Sequence, residues 1–231
     1  MDQPDFCEHD KIPIHASVSA NADKLYAGSN DGLLLSSDAG DSWAKAGLEG
    51  TNIVFVGANE NTLFAAAYQQ VFRSSNNGTT WEDITSRIPA TVFYTGDLLV
   101  RGNDVFISTY DNVYVSSDNG SNWTALGTGL PKSHFYTHLA ANDAFVFVTS
   151  ADNNSLAGAL HRLPLGESIW ENVSPPVLAG LRAFDLVCSG SVVYFATSNA
   201  GNAYVSDNNG QSWSAETALP AGVLYFCDSG Q

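Results

Sequence analysis

The sequence predicts an all-β fold, and three observations support this prediction. Short runs rich in Val, Phe, Tyr and Thr alternate with turns of Gly, Asn, Asp and Ser, as expected of short strands joined by tight turns. No segment has a convincing helical periodicity. A tryptophan-containing motif recurs, and its tryptophans lie 38, 42, 47 and 43 positions apart. Because a propeller blade of four strands needs about 40–45 residues, we predict a β-propeller with five four-stranded blades.

The repeated motif follows the pattern Ser-x-Asp/Asn-x-Gly-x-x-Trp. It reads SSDAGDSW at 36–43, SSNNGTTW at 74–81, SSDNGSNW at 116–123 and SDNNGQSW at 206–213, with a degraded copy, RLPLGESIW, at 162–170. The Asp or Asn side chain can accept backbone N–H groups across the turn, Gly supplies a positive φ, and Trp can pack back over the turn. We therefore assign structural roles to Asp38, Asn76, Asp118 and Asn208, to Gly40, Gly78, Gly120 and Gly210, and to Trp43, Trp81, Trp123 and Trp213. Calcium binding by these turns is the alternative.

Each repeat contains the same order of strand-like runs, which we name A to D. Strand B is predicted in KLYAGS, TLFAAA, DVFIST, FVFVTS and VVYFATS, and strand C follows each of them after a short polar turn. The Trp-bearing segments, such as TWEDI, are predicted as strand D, and looser runs such as IVFVGA as strand A. These runs alternate or are continuously apolar over five to seven residues, which is typical of strands with one or both faces buried.

The motif resembles the Asp-box, or BNR, repeat of sialidases, sortilin-type receptors, xyloglucan-degrading enzymes and photosystem II assembly factors. The resemblance covers roughly residues 14–228 and implies a propeller whose boxes lie away from the ligand-binding face. Arg87-Ile88-Pro89 looks like the Arg-Ile-Pro motif of sialidases, which bind a substrate carboxylate with three arginines. Here the tripeptide follows a box, where other repeats have Leu-Pro or Pro-Pro, so we interpret it as an ordinary D–A connection without the sialidase catalytic set.

Residues 1–13 are predicted as an N-terminal extension or closure segment, and residues 14–231 as a single propeller domain. The run VLYFCDSG at 223–230 is a surplus strand, which indicates either a strand that closes the ring together with the first strand, the interpretation we favour, or part of a longer propeller. Cys7 and Cys227 lie near opposite chain ends, which a closed propeller brings together, so a disulfide between them would lock the ring. Cys188 lies in an apolar strand-like run and is predicted to be buried.

The composition constrains the partners. The net charge is −15, and without a basic stripe such an acidic surface repels phosphate backbones, so we expect no nucleic-acid partner. No apolar run approaches the length of a membrane span, and the first residues lack the features of a secretory signal. Few charged residues and many Ser, Thr, Asn and Gly favour an extracellular, cell-surface or periplasmic location. No cofactor is predicted.

In a propeller, the B–C and D–A connections share one face, and we place the candidate binding site there. Aromatic rings next to amides and carboxylates suit sugars, because rings stack on C–H faces while polar groups bind hydroxyls. The leading hypothesis is a non-catalytic module that binds a glycan or a protein. The predicted ligand-binding residues are Tyr68, Gln69, Tyr110, Asp111, Asn112, His134, Tyr136, Asp152, Asn153 and Asn199.

Catalysis and metal binding are the alternatives. A glycoside hydrolase would need two facing carboxylates, and the candidates are Asp97, Asp111, Asp152 and Asp185. A protein-assembly scaffold is a third possibility. His134 and His138, if they lie in one regular strand, point the same way about 13 Å apart, so no metal site is predicted. The fourth repeat has lost its box and carries the longest B–C insertion; we expect a partner contact there first, with sequence drift as the other explanation.

Overall fold

The computed structural model describes residues 17–21, 23–90, 93–132, 134–155, 157–197 and 203–216. These residues form five four-stranded antiparallel sheets. The five-bladed β-propeller prediction is confirmed. In every blade the strands are hydrogen-bonded in chain order, A to D.

The strand bounds follow the predicted repeats closely. Blade 1 contains β1 (Val18–Asn21), β2 (Lys24–Ser29), β3 (Gly32–Ser36) and β4 (Ala44–Lys45). Blade 2 contains β5 (Phe55–Ala58), β6 (Leu63–Ala66), β7 (Val71–Ser74) and β8 (Glu82–Asp83). Blade 3 contains β9 (Thr95–Arg101), β10 (Asp104–Thr109), β11 (Val113–Ser116) and β12 (Thr124–Ala125). Blade 4 contains β13 (His134–Ala141), β14 (Phe145–Asp152), β15 (Gly158–Pro164) and β16 (Glu171–Asn172). Blade 5 contains β17 (Ala183–Ser189), β18 (Val192–Thr197), β19 (Ala203–Ser206) and β20 (Ser214–Glu216).

The chain divides into two compact units. The first comprises the described residues of Met1–Pro89, Phe93–Phe106 and Val115–Thr124, and the second those of Ala90–Val92, Ile107–Tyr114 and Ala125–Gln231. The core of the first unit is the buried set Tyr26, Leu33, Ile53, Val56, Leu63, Ala65 and Phe72. That of the second is Ala140, Phe147, Leu160, Leu178, Ala183, Leu186, Cys188, Val193 and Phe195. Strands B supply much of both cores, because their runs are apolar on both faces.

The connections between strands A and B alternate in length. Blades 2 and 4 have four-residue turns, at 59–62 and 142–145. In blades 1 and 5 the pairing closes to two-residue turns, between Asn21 and Lys24 and between Ser189 and Val192. The chain also makes a 3-10 turn after blade 2, at Thr85–Arg87, and after blade 4, at Pro176–Gly180. A two-blade periodicity therefore underlies the five repeats, and the motif alone did not predict it.

The boxes use more residues than the sequence analysis assigned. In the first box, Asp38 Oδ1 accepts the Ser42 N–H at 2.9 Å, as expected, and also the Ser36 hydroxyl at 2.8 Å. Ser36 is buried, and its Oγ accepts the N–H of Gly40 at 2.8 Å. The residue before each box glycine also has a positive φ, at Ala39, Asn77, Asn119 and Asn209. The opening serine and this fourth position are structural elements that the sequence analysis missed.

The box tryptophans make hydrogen bonds of two kinds. Only Trp43 and Trp123 donate their indole N–H within their own box, to Gly40 and Gly120. The other three donate to the main chain of the preceding blade, where the acceptor lies three residues after that blade's own tryptophan. These bonds are Trp81 to Ala46 O at 3.3 Å, Trp170 to Leu126 O at 2.6 Å and Trp213 to Val173 O at 2.9 Å. In these three repeats the tryptophan therefore joins successive blades, because its indole is long enough to span the space between them.

Several predictions lie outside the described residues. They concern the extension at 1–13, the surplus strand at 223–230, the Cys7–Cys227 disulfide and the ligand role of Asn199. Cys188 is buried in β17, in agreement with its apolar surroundings in the sequence. No helix in the described part of the chain has the length and apolar character of a membrane span.

Candidate functional site

At three places the structure brings a B–C connection against the next D–A connection. In the first unit, the N–H of Ile53 donates to Ser29 O at 2.9 Å, and the N–H of Thr95 donates to Tyr68 O at 2.7 Å. In the second unit, the N–H of Gly158 donates to Leu181 O at 3.0 Å. The main chains of two successive blades therefore meet at these three junctions.

Tyr68 and Tyr94 form an exposed aromatic platform in the first unit. Tyr68 lies in the B–C turn of blade 2, and Tyr94 directly precedes β9. Their rings are stacked, with centroids 4.9 Å apart and planes 14° from parallel. Each residue keeps 43% of its surface exposed, and Gln69 beside them is exposed as well. The sequence analysis selected Tyr68 and Gln69 but missed Tyr94, although the aromatic pair Phe93-Tyr94 in a D–A connection was a signal that could have found it.

A second aromatic cluster lies in the second unit. Tyr110, at the B–C turn of blade 3, stacks on Phe135 with centroids 6.0 Å apart and planes 16° from parallel. The guanidinium of Arg182 lies 4.8 Å from the centre of the Phe135 ring, a cation–π geometry. Tyr110 keeps 47% of its surface exposed. Tyr110 lies in a turn of blade 3, Phe135 in β13 of blade 4 and Arg182 directly before β17 of blade 5, so only the fold could assemble them.

Asp111 and Asn112 are turned towards their own hairpin. Asp111 Oδ1 accepts the hydroxyl of Thr109 at 2.8 Å, and Asn112 Oδ1 accepts the N–H of Val113 at 2.8 Å. Both residues are only partly exposed. These bonds hold the turn that presents Tyr110, so the two polar residues support the aromatic ring locally.

His134 and Asp152 approach each other across blade 4. His134 Nδ1 lies 3.0 Å from Ser150 Oγ, and Nε2 lies 3.9 Å from Asp152 Oδ2. Burial lowers the pKa of His134, an effect that the nearby carboxylate of Asp152 opposes. Hydrogen bonds from Ser155 lower the pKa of Asp152 itself. Asn153, next to it, is exposed. At neutral pH this pair therefore consists of a neutral imidazole and a carboxylate.

Two expectations for strand A of blade 4 are wrong. Tyr136 is 2% exposed and donates its hydroxyl to Pro131 O at 2.5 Å, so it is a core residue and not part of a binding surface. The register of β13 shifts between Tyr136 and Leu139, where two residues face one residue of β14. Such a bulge interrupts the alternation of side chains, and the expected common face of His134 and His138 depended on that alternation.

The acidic candidates for catalysis cap local backbone. Asp97 Oδ1 accepts the N–H of Leu98 at 2.7 Å, and Asp185 Oδ1 accepts that of Leu186 at 2.8 Å. Asp152 Oδ1 accepts the N–H groups of Asn154 and Ser155 at 3.0 and 2.7 Å. Asp152 thus has the turn-capping role that its residue type favours, whereas Asp97 and Asp185 lie within strands β9 and β17.

Arg87 has a local structural contact, and no metal site is formed in the described part of the chain. Arg87 ends a 3-10 turn and pairs with Glu82, which fits a D–A connection. Among the described residues, no group of three or more His, Cys, Asp or Glu side chains is placed to hold a metal ion.

A groove lies in a place where the sequence did not indicate a site. It has a volume of about 470 Å³ in the second unit, beside the box of blade 5. Trp213 and Tyr204 line it together with Pro175, Pro176 and Val177, and Gln211 and Ser212 add polar groups. The 3-10 segment after blade 4 forms one wall of the groove. From the sequence, this segment was predicted only as a D–A connection.

Comparisons with known proteins agree with this architecture. Residues 14–94 match the model of the DUF6242 beta propeller domain, and residues 204–215 match that of the BNR/Asp-box repeat. The chain is a β-propeller that carries Asp-box repeats. No curated protein matches the sequence of this Asp-box propeller.

Solved structures of low sequence identity share the fold. A GH74 xyloglucanase from Xanthomonas campestris is 18% identical, with a TM-score of 0.69 over 89% of this chain and 38% of the enzyme. YCF48 bound to D1 peptide is 16% identical, with a TM-score of 0.63 over 91% of this chain and 70% of that protein. The extracellular domain of a putative hybrid two component system from B. thetaiotaomicron is 13% identical, with a TM-score of 0.71 over 93% and 29%. The Asp-box propeller therefore spans well under half of the enzyme and of the sensor domain.

Proposed function

We propose that this Asp-box propeller is a non-catalytic binding module that holds a carbohydrate against the Tyr68–Tyr94 platform. The observation that carries the proposal is the pair of stacked, solvent-exposed tyrosines. Two exposed rings do not contribute the stabilising free energy that burial of their apolar surface would provide. A sugar ring stacked on them removes that surface from water. The hydroxyl groups of both tyrosines and the amide of Gln69 can form hydrogen bonds with sugar hydroxyls.

The platform is pre-organised. The main-chain bond between Thr95 and Tyr68 ties the two connections together directly behind the rings. Because the rings are already stacked in the unbound protein, little side-chain entropy remains to be lost on binding. The cluster of Tyr110, Phe135 and Arg182 is a second surface of the same kind in the other unit.

A hydrolytic function receives less support. Asp111 and Asp152 accept hydrogen bonds within their own B–C turns, and Asp97 and Asp185 accept the N–H of the next residue in their strands. Hydrogen bonding lowers the pKa of Asp152, whereas a general acid for glycoside hydrolysis needs a raised pKa. Turnover on a glycoside panel that is lost with Asp111→Asn or Asp152→Asn would replace the binding proposal with the enzymatic one. An extracellular or periplasmic location is part of the proposal and rests on composition.

The test is a glycan array with the purified chain, followed by calorimetry on any hit. We expect Tyr68→Ala and Tyr94→Ala each to weaken binding by about tenfold or more, since stacking and apolar burial at a sugar-sized contact contribute about 1.5 kcal/mol. Ile169→Ala is the matched control, because Ile169 is also a large exposed apolar residue, 59% exposed, but lies in the degraded box of blade 4. A blank array with folded protein, or equal losses in Ile169→Ala, would reject the carbohydrate proposal and direct the search to protein partners.

A further inference from the structure

The three Asn-Gly steps of the chain occupy the same position in three boxes. They are Asn77-Gly78, Asn119-Gly120 and Asn209-Gly210. The asparagine has a φ of 54–56° in each, and the glycine one of 80–83°. Asn followed by Gly is the sequence most prone to lose ammonia, because Gly has no Cβ to hinder attack by its own backbone nitrogen on the preceding side-chain carbonyl. The same Asn-Gly step with nearly the same backbone would give three similar rates unless the surroundings differ.

Two of the asparagines are latched by the preceding blade. In the first unit, Asn59 Nδ2 donates to Asn119 Oδ1 at 2.7 Å and to Gly102 O at 2.7 Å. In the second unit, Asn142 Nδ2 donates to Asn209 Oδ1 at 2.7 Å and to Gly190 O at 2.8 Å. The glycines that follow, Gly120 and Gly210, are buried. Cyclisation at either site has to break the latch and move a buried backbone nitrogen.

Asn77 lacks this protection. Its side chain is exposed and makes no hydrogen bond within the described part of the chain, and Gly78 is partly exposed. The cause lies in the preceding blade. Blades 2 and 4 place an asparagine in a four-residue A–B turn, whereas β1 and β2 of blade 1 close to a two-residue turn after Asn21. Blade 1 therefore has no counterpart of the latch to offer to the box of blade 2.

We propose that Asn77 is the preferred site of spontaneous deamidation in the folded protein. The backbone nitrogen of Gly78 attacks Cγ of Asn77, the new N–Cγ bond forms, and the side-chain amide leaves as ammonia to give a succinimide. Water then opens the ring at either carbonyl and yields aspartate or isoaspartate. The net reaction consumes one water, releases one ammonia and involves no redox change. The serine that accepts the Gly78 N–H, Ser74 at 2.9 Å, slows this step equally in all three boxes, since each box has such a serine.

The isoaspartyl product has a structural consequence. It lengthens the main chain by one carbon between two residues of positive φ, where the turn geometry is most restricted. The bond from Gly78 to Ser74 and the position of Trp81, which reaches Ala46 O of blade 1, both depend on that turn. Isoaspartate at position 77 is therefore expected to weaken the contact between blades 1 and 2.

The experiment is peptide mapping by mass spectrometry after incubation of the folded protein in mildly alkaline buffer. We expect product at Asn77 to form about tenfold faster than at Asn119 or Asn209, since breaking the hydrogen bonds of the latch adds to the barrier at those two sites. In denaturant the three rates should become equal. Equal rates in the folded protein, or faster reaction at a latched site, would overturn the proposal.

Two variants separate the latch from general unfolding. Asn59→Ala removes the latch on Asn119 only, so the rate at Asn119 should rise towards that of Asn77 while Asn209 stays slow. If Asn59→Ala merely unfolded the chain, Asn209 would accelerate as well. Asn77→Ala is a conservative control, because the first box carries Ala39 at this position with a φ of 56°. Early ammonia release that persists in Asn77→Ala would contradict the assignment.

Discussion

The side-chain nitrogen of Asn59 lies 2.7 Å from Oδ1 of Asn119, although the two residues are 60 positions apart. The same geometry recurs between Asn142 and Asn209, at 2.7 Å and 67 positions. In each pair, Oδ1 of the donor asparagine also accepts two N–H groups of its own turn. One side chain therefore shapes the A–B turn with its oxygen and holds the next blade with its nitrogen.

Asn59→Asp should separate these two roles. The aspartate keeps the acceptor that shapes the turn but loses the donor and faces Asn119 Oδ1 and Gly102 O with negative charge. We expect a loss of about 1–3 kcal/mol in the free energy of unfolding, measured by chemical denaturation. Asn61→Asp adds the same charge two residues away at an exposed position and should change stability by less than about 0.5 kcal/mol. Equal effects of the two substitutions would mean that the charge, and not the latch, matters.

Trp170→Phe should destabilise the protein more than Trp43→Phe. Trp170 is 3% exposed and reaches the preceding blade through its bond to Leu126 O, whereas Trp43 is partly exposed and bonds only within its own turn. The loss of a buried hydrogen bond and of ring volume should cost about 1–3 kcal/mol at Trp170. Thermal or chemical unfolding monitors both variants. A larger loss at Trp43 would contradict the inter-blade role.

Gly129→Ala and Gly166→Ala provide a matched pair of glycine substitutions. Both glycines have a similar positive φ, 91° and 85°, so the backbone strain is comparable. A Cβ at Gly129 would lie 2.4 Å from Trp170 O, while Gly166 faces open space. Gly166→Ala should cost about 1–2 kcal/mol, and Gly129→Ala distinctly more or prevent folding. Similar unfolding midpoints would show that the chain relaxes around the new methyl group.

The acid limb of the stability curve should depend on two box aspartates. Hydrogen bonds from Ser42 lower the pKa of Asp38 to about 2, and those from Asn122 lower that of Asp118 to about 2. A carboxyl with a lowered pKa in the folded state adds stability above its unfolded pKa of about 3.8, and this stability is lost as the pH falls towards 2. Asp38→Asn together with Asp118→Asn should flatten that limb, because Asn76 and Asn208 already fill this position in two boxes. The transition should fall between about pH 4 and pH 2. If the free energy of unfolding of the double variant changed with pH over this range as steeply as that of the wild type, the assignment would be refuted.

His161 should cause a separate loss of stability on acidification, in a pH range above that of the box aspartates. Burial, with a smaller contribution from His134, lowers its pKa from 6.5 to about 4, and its Nδ1 has no hydrogen-bond partner among the residues that the structure describes. The folded state therefore resists a proton that the unfolded chain accepts, so stability is full above pH 6.5 and decreases as the pH falls towards 4. Substituting His161→Leu should reduce this decrease, as measured by denaturation at several pH values. His138, whose pKa burial also lowers to about 4, should account for part of the remaining slope.

The candidate site was partly accessible from the sequence. Tyr68 and Tyr110 stand next to amide and carboxyl groups in B–C turns, and both prove to be exposed. Tyr136 had the same appearance in sequence, yet it is buried, while its neighbour Phe135 stacks on Tyr110. In strand A of blade 4 the inward and outward positions could not be assigned, because a bulge shifts the register where the sequence shows only a continuous run of polar and aromatic residues.

The sequence by itself determined the number of blades, the strand order and the role of the box Asp or Asn in its own turn, because those features depend on periodicity and on contacts within a few residues. Only the tertiary structure decided which groups join one blade to the next. The tryptophan bonds of Trp81, Trp170 and Trp213, the two asparagine latches and the Tyr68–Tyr94 platform connect residues from 26 to 67 positions apart. Such contacts depend on how neighbouring sheets pack and twist. The repeat motif specifies only the contacts within its own turn, so it does not predict which side chains of the neighbouring blade it will meet.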